Sequence, residues 1–254
     1  MTELSPAQLE RYSRQLLLKE VGGAGQLRLL QAQVVVVGAG GLGSSAACYL
    51  AAAGVGRLLI ADDDRVELSN LQRQILHTTD RIGQAKTDSA RQALYALNPE
   101  VEVIPFAARV TLATVDDLLR QGDLVLDGSD SFATRHLLNE ACFRAGKPLI
   151  SAAVLGFEGQ LSTFRHGVDP QAPCYRCLYP HLPEPGATPT CRSAGVLGAL
   201  TGILGAWQAA EAIKELLGVG DSLSGSLLLF NVLHGQVQRI RFGKNPACGV
   251  CAPG

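Results

Sequence analysis

The chain contains 254 residues, 47% of them apolar and 5% aromatic, and its 22 basic side chains nearly balance its 23 acidic ones. This length suffices for one large α/β domain with an aliphatic core. The balanced charge argues against nucleic acid or an anionic membrane as a partner. Because the polar N-terminus has no apolar signal region, we expect a cytoplasmic protein.

The predicted elements begin with a helix over residues 5–20, in which Ser5 and Gln8 suit a capping box. Helical patterns then alternate with apolar runs at Val34–Val37, Leu58–Ala61, Val101–Pro105, Leu124–Asp127 and Pro148–Ala152. This order predicts an α/β fold with a doubly wound, mainly parallel, Rossmann-like sheet. Ligands bind such sheets outside the carboxyl ends of the strands, where Asp62 and Asp127–Asp130 lie.

A glycine-rich turn follows the first predicted strand directly. Its glycines allow a sharp turn close to phosphate oxygens, and the helix behind it presents free N–H groups. The second strand ends at Asp62, where a carboxylate can bind ribose hydroxyls. This strand–turn–helix–strand order predicts an adenine-nucleotide site. Its turn residues are Gly38, Gly40, Gly41 and Gly43.

Charged and polar residues after the second strand extend this site. Arg73 and Lys86 can neutralise phosphate charge, whereas a solvated loop that precedes a surface helix is the alternative. The candidate nucleotide-binding residues in this segment are Asp62, Asp64, Ser69, Asn70, Leu71, Gln72, Arg73, Gln74 and Lys86. After the fourth strand, Asp130 can hold Mg²⁺ on the phosphates. Alternatively, Asp130 and Ser131 cap the next helix.

The C-terminal part has a different pattern. The predicted order is a strand over Glu158–Arg165, a crossover loop over Val168–Cys191, a helix over Ser193–Leu217, and a hairpin of Ser226–Val232 and Gln236–Phe242. The apolar stretch Ala194–Trp207 is shorter than the roughly 20 residues of a membrane span, so we expect a buried helix there. No repeat or linker divides the chain, which predicts a single domain.

The seven cysteines include two C-x-x-C pairs, Cys174/Cys177 and Cys248/Cys251. Four thiolates suit a tetrahedral structural Zn²⁺ that ties the C-terminus to the crossover loop. Four unrelated reduced cysteines, or a redox pair, are the alternatives. Cys191 lies beside Arg192 near a predicted helix start, and both features lower a thiol pKa. It is therefore a nucleophile or an ordinary residue near a cap.

Nine motifs in order carry a family resemblance: RYSRQ, GAGGLG, ADDD, SNLQRQ, Gln84-Ala85-Lys86, CYRC, TCRSAG, EAIK and CGVC. With them the chain resembles the ubiquitin-activating-enzyme-like adenylyltransferases of the MoeB/ThiF/HesA group. The resemblance implies one domain over residues 1–254, with a nucleotide-binding part over 30–152 and a carrier-binding and zinc part over 153–254.

The resemblance also implies residue roles. Gly41, Asp62, Asn70, Arg73 and Lys86 would bind ATP, Asp130 would bind Mg²⁺, and the four paired cysteines would bind zinc. Arg14 would reach the ATP of a second subunit, which implies a homodimer. Cys191 matches a cysteine that forms a covalent carrier adduct in some members. Where the family often has Cys-Thr-Asp-Asn, this chain keeps the aspartate but has Ser131 in place of the asparagine.

The implied reaction is ATP-dependent adenylylation of the C-terminal Gly-Gly of a ubiquitin-like sulfur carrier, with release of pyrophosphate. No rhodanese-like extension follows Cys251, so a separate sulfurtransferase or cysteine desulfurase is expected to supply sulfur. Ile82–Lys86 and Glu158–Gln160 favour the molybdopterin synthase small subunit as carrier. TCRSAG and ADDD resemble the thiamine-thiazole type instead. An NAD-dependent oxidoreductase and a non-catalytic dimer partner are the alternatives from other classes.

Overall fold

The computed structural model describes residues 3–184 and 194–252, and eight strands of this part form one sheet in the order β3-β2-β1-β4-β5-β6-β7-β8. The strands are β1 Gln33–Val37, β2 Arg57–Ala61, β3 Glu102–Phe106, β4 Leu124–Asp127, β5 Leu149–Leu155, β6 Glu158–Phe164, β7 Ser226–Asn231 and β8 Gln236–Arg241. Strands β1 to β5 run parallel, and β5 to β8 pair antiparallel. The predicted fold class is confirmed.

Helices cover both faces of the sheet. They are α1 Pro6–Arg11, α2 Ser13–Leu16, α3 Gly22–Gln31, α4 Gly41–Ala52, α5 Lys86–Leu97, α6 Val115–Leu119, α7 Phe132–Ala145, α8 Tyr175–Leu178 and α9 Gly198–Leu217. Val34 and Val36 of β1 join the core cluster formed with α3, α4, α5 and α9. Val35 and Val37 join the opposite cluster, formed with α6 and α7. Burial on both faces explains the uninterrupted valine run.

The predicted N-terminal helix over residues 5–20 is wrong in its length. The capping box is present, with Ser5 Oγ 3.2 Å from the Gln8 backbone N, but α1 ends at Arg11. Tyr12 interrupts the helix because its ring is buried and its hydroxyl accepts a 2.9 Å hydrogen bond from Asn98 Nδ2. A tertiary contact therefore overrides the local helical preference.

The second boundary correction concerns the long C-terminal helix, which was predicted from Ser193. Its described start is Gly198, because Val196 forms an isolated parallel bridge with Gly156 and Leu197 has an extended backbone. The Gly156 N–H donates to Gly195 O, and the Leu197 N–H donates to Gly156 O, both at 3.0 Å. Within the predicted crossover loop, residues 175–178 form the short helix α8.

Helix α9 packs very closely against α4. A Cβ atom built on Gly205 would lie 2.2 Å from the Leu42 carbonyl oxygen, and one built on Gly41 would lie 2.8 Å from Thr201 Oγ1. Only glycine allows this approach, which presses α9 against the start of α4. None of the helices in the described ranges combines the length and hydropathy that a membrane crossing requires.

Candidate active site

A cleft of about 1220 Å³ opens at the carboxyl ends of β1, β2 and β4. The predicted site residues that line it are Gly38, Gly40, Gly41, Asp62, Asp64, Ser69, Asn70, Arg73, Gln74, Lys86, Asp130 and Ser131. The structure does not bring Gly43, Leu71 or Gln72 to its wall. Cys191 lies outside the described residues, so its predicted role stays a prediction.

Glycine occurs at the positions of the turn for different structural reasons. Gly38 adopts a φ of 96° and donates its N–H to Ala61 O at 2.7 Å. A Cβ on Gly43 would lie 1.8 Å from the Gly38 carbonyl oxygen, so packing of α4 on the turn requires glycine there. A Cβ on Gly40 would meet only the Gln74 side chain, at 3.8 Å. Gly40 therefore leaves open space in the cleft, as a phosphate-binding backbone requires.

Asp62 is held by the turn that it faces. Its carboxylate accepts the Ala39 N–H at 2.7 Å and the Asp64 N–H at 2.9 Å, and Lys86 Nζ lies 3.9 Å away. Burial raises the pKa of Asp62, and the positive charge of Lys86 opposes that rise. These contacts hold an acceptor group in one orientation at the end of β2, as ribose binding requires.

Lys86 begins α5, but the surface-helix alternative is wrong for its side chain, which is only 5% exposed. Its ammonium lies 2.7 Å from the Asp64 carboxylate, whose side chain is 61% exposed. An incoming phosphate can replace Asp64 as the partner of Lys86. The displaced Asp64 carboxylate then stays in solvent and is not left buried without a partner. The arrangement therefore provides a cation that is neutralised before a ligand arrives.

The segment after β2 is shaped by its own hydrogen bonds. Buried Asn70 accepts the Glu67 N–H at 3.1 Å through Oδ1, and Arg73 Nη1 donates to Ser69 O at 3.1 Å. The Oε1 atom of buried Gln74 has no hydrogen-bond partner among the described residues. The turn thus places one half-buried guanidinium and one unsatisfied amide group at the cleft.

The turn after β4 separates two roles that the sequence left open. Fully buried Asp127 accepts hydrogen bonds from the hydroxyls of Ser129 at 2.6 Å and Ser151 at 2.7 Å. Ser131 is the N-cap of α7, and its Oγ accepts the N–H of the third helical residue at 3.4 Å. Asp130 lines the cleft, and no described residue pairs with its exposed carboxylate. A free carboxylate there fits Mg²⁺.

Sequence reasoning missed Arg135, whose side chain also lines the cleft although it is only 5% exposed. Its Nη2 donates to Ser129 O at 2.8 Å, its Nε lies 3.7 Å from Asp127, and its guanidinium lies 5.3 Å from the Phe132 ring centre. This buried ion pair braces the turn that carries Asp130. Its position one helical turn after the Ser131 cap was the only signal available.

His77 supports the glycine turn from another side. Its Nε2 lies 2.9 Å from the Ala39 carbonyl oxygen, and its Nδ1 lies 2.9 Å from Ser89 Oγ. Burial lowers the pKa of His77, which favours the neutral ring. A neutral ring with its proton on Nε2 satisfies both contacts, because Nδ1 then accepts the Ser89 hydroxyl.

Arg14 does not line the cleft. It lies on α2, and its side chain is exposed. Together with Leu17 and Leu18, which are 76% and 53% exposed, it belongs to a surface on the N-terminal segment. This placement leaves Arg14 available to another molecule, but the homodimer stays a prediction.

The four paired cysteines come together as the spacing predicted. The Cys174–Cys248 and Cys177–Cys251 sulfur distances are 3.5 and 3.4 Å, and all four sulfurs lie within 4.8 Å of one another. A Zn–S bond of about 2.3 Å in a tetrahedron sets sulfur–sulfur edges of about 3.8 Å. The Asn245 N–H also points at Cys177 Sγ, at 3.4 Å. The donor set and its spacing therefore fit Zn²⁺.

Comparison with known proteins identifies the family, because the ThiF family model matches residues 12–250. The chain is 48% identical to the SAMP-activating enzyme E1 of Haloferax volcanii, over 99% of this chain and 92% of that protein. It is 48% identical to the sulfur carrier protein adenylyltransferase of Thermus thermophilus, over 96% and 91%. The adenylyltransferase and sulfurtransferase MOCS3 of Bos taurus is 51% identical over 98% of this chain, which spans about half (54%) of that protein.

Solved structures agree on the fold. E. coli MccB superposes with a TM-score of 0.81 at 24% identity, over 96% of this chain and 72% of the other. Its complex with ATP gives a TM-score of 0.79 at 24% identity, over 95% and 73%. The chain belongs to the ThiF family. The predictions of this family and of an adenylyltransferase are confirmed.

Substitution can separate the packing role of Gly43 from the open space that Gly40 leaves in the cleft. We expect Gly43→Ala to lower the free energy of unfolding by about 3 kcal/mol, because its Cβ overlaps a backbone oxygen. Gly40→Ala is the matched control: its unfolding free energy should change by less than about 1 kcal/mol while ATP binding weakens. Urea unfolding and calorimetry measure both quantities. A Gly43→Ala protein of normal stability would contradict the steric argument.

The cysteine cluster predicts one zinc ion per chain. Cys251→Ser should lose this zinc and destabilise the tail, because three thiolates and a hydroxyl bind Zn²⁺ much more weakly than four thiolates. Metal analysis of the purified proteins tests this, with Cys48→Ser as the control outside the cluster. Normal zinc content in Cys251→Ser would refute the site.

Proposed function

We propose that this chain adenylylates the C-terminal Gly-Gly carboxylate of a ubiquitin-like sulfur carrier protein. The supporting observation is the cleft itself, which combines an open glycine turn, the cations Arg73 and Lys86, and an unpaired carboxylate at Asp130. Relatives named as activating enzymes and sulfur carrier adenylyltransferases cover almost the whole chain. The same cleft continues along β6, β7 and β8, which leaves room for a protein tail beside a nucleotide.

The reaction is a displacement at the α-phosphorus of ATP. An oxygen of the carrier carboxylate forms the new P–O bond, the bond to the β-phosphate bridging oxygen breaks, and pyrophosphate leaves with the electron pair. The products are a carrier acyl-adenylate and pyrophosphate. Because both reactants are anions, catalysis here is mainly positioning and charge neutralisation.

The residues of the cleft divide this work. The N–H groups of the glycine turn and the ammonium of Lys86 bind phosphate oxygens, Arg73 stabilises the charge of the leaving pyrophosphate, and Asp62 orients the ribose. Asp130 would hold Mg²⁺, which supplies further positive charge to the phosphates. Arg135 keeps the Asp130 turn in place through Ser129 O.

Further parts of the proposal concern assembly and structure. Arg14 would enter the cleft of a second subunit in a homodimer, since it lies outside its own cleft. The cysteine cluster would hold a structural Zn²⁺, because four cysteine ligands leave no open position for substrate. Cys191 would be the residue that forms a carrier adduct, and a separate sulfurtransferase or cysteine desulfurase would supply sulfur.

For the carrier itself, we favour the molybdopterin synthase small subunit, on the basis of Ile82–Lys86 and Glu158–Gln160. The thiamine-thiazole carrier is the alternative. An oxidoreductase shares the glycine turn and Asp62 but gives no role to Arg73 or to the cysteine cluster. A non-catalytic partner would not need Arg73, Lys86 and Asp130 around one cleft.

ATP–pyrophosphate exchange with purified protein and Mg²⁺ tests the proposal. Three arms are compared: no carrier, a molybdopterin-type carrier and a thiamine-type carrier, each ending in Gly-Gly. We expect exchange to depend on the carrier and to be fastest with the molybdopterin type. Exchange with the thiamine type alone would reassign the pathway, and no exchange with either carrier would contradict the activity.

Removal of a cleft charge should greatly slow turnover without unfolding the protein. We expect Arg73→Ala and Asp130→Ala to reduce exchange about a hundredfold, or roughly 3 kcal/mol in the barrier, because each removes charge stabilisation at the phosphates. Arg91→Ala is the matched control, since this exposed arginine of α5 lies outside the cleft and, among the described residues, forms an ion pair with Asp88 alone. Near-normal turnover in either cleft variant would refute the assigned roles.

A further inference from the structure

Gln160 is a polar residue of the cleft that has no role in the proposed chemistry. It lies on β6, is half-buried and lines the cleft. Strand β6 pairs on both sides, with Ala153 of β5 and Leu229 of β7 opposite Gln160. The backbone N–H groups of β6 are therefore engaged in the sheet, and only side chains can offer hydrogen bonds to a ligand there.

Tyr179 holds the Gln160 side chain in one orientation. Its hydroxyl donates to Gln160 Oε1 at 2.6 Å. The phenol is itself held between the Tyr175 ring, 5.0 Å away, and the Phe132 ring, 6.4 Å away. It also follows Cys177 by two residues, so the cysteine cluster anchors the segment that carries it. With Oε1 engaged, the amide N–H groups of Gln160 are donors that no described residue uses.

The surroundings of Gln160 suit a peptide tail. On the β5 and β6 side of Gln160, the wall residues Ala153, Leu155 and Gly159 have no side-chain donor. The other amide side chains of this wall, Asn231, Gln236 and Gln238, lie on β7 and β8. A tail that runs from β8 toward Asp130 must bring its peptide carbonyls out of water along this wall. A carbonyl buried without a donor costs about 1–3 kcal/mol, so a donor at this point matters for binding.

We propose that Gln160 donates an amide N–H to a peptide carbonyl of the carrier's C-terminal tail, and that Tyr179 is the positioning residue that orients this amide. The inference rests on the proposed function and assigns a recognition residue to it. Gln160 acts in binding the carrier and takes no part in binding ATP. Its loss should therefore change the KM for the carrier and leave the affinity for ATP unchanged.

Three variants of the full-length protein test this in the exchange assay. Gln160→Ala should raise the KM for the carrier about tenfold, with ATP affinity and kcat within about twofold of wild type. Gln160→Glu keeps an oxygen for Tyr179 but replaces the donor by a carboxylate, so its KM should rise further. Tyr179→Phe should raise the KM less, because the amide remains but is free to turn. Gln92→Ala, an exposed glutamine of α5, is the control and should behave as wild type.

The double variant Gln160→Ala/Tyr179→Phe separates positioning from general destabilisation. If Tyr179 acts through Gln160, the double variant should match Gln160→Ala alone, whereas independent effects would multiply. An unchanged carrier KM in Gln160→Ala and Gln160→Glu, or an equal loss of ATP affinity, would overturn the inference while wild-type exchange still supports the function. A wild-type protein without exchange would overturn both.

Discussion

The fit of the first turn of α4 against the end of β1 is the contact on which the rest of the site depends. Any side chain at Gly43 would occupy the position of the Gly38 carbonyl oxygen, so the helix can approach the strand only because residue 43 is glycine. This approach directs the N-terminus of α4 into the cleft. Helix α9 then presses on the same turn through Gly205 and Thr201, which fixes the wall of the cleft from the opposite side.

Charge in the cleft is arranged around this rigid turn. Asp62 is tied to the turn through the Ala39 N–H, and it shares Lys86 with solvent-exposed Asp64. A second buried pair, Arg135 with Asp127, braces the neighbouring turn. Buried ion pairs of this kind are poor sources of stability, because desolvation offsets their attraction. Their effect here is to hold charged groups in defined positions around the cleft.

The antiparallel half of the sheet extends the cleft beside the glycine turn into a longer groove. Strands β5 to β8 continue the parallel half without a break, so residues of the hairpin line the same cleft as the glycine turn. The cysteine cluster joins the segment with Cys248 and Cys251 to α8. Tyr179, the residue after α8, donates a hydrogen bond to Gln160 in the wall of the groove. In this way the cysteine cluster, which does not line the cleft, is connected to the wall where the proposed carrier tail would lie.

The sequence by itself determined the order of strands and helices along the chain, the capping box, the glycine turn and the grouping of the four cysteines into one cluster. Each of these depends on local spacing: the period of the apolar residues, the residue types that turns and helix caps require, or the interval between two cysteine ligands. It could not show that the helix over residues 5–20 breaks at Tyr12, because the cause is Asn98, which is distant along the chain. Nor could it place Arg135 and Gln160 in the cleft. Their positions follow from the order β4-β5-β6-β7 within the sheet, and strand order is decided by packing between distant segments, which local patterns do not encode.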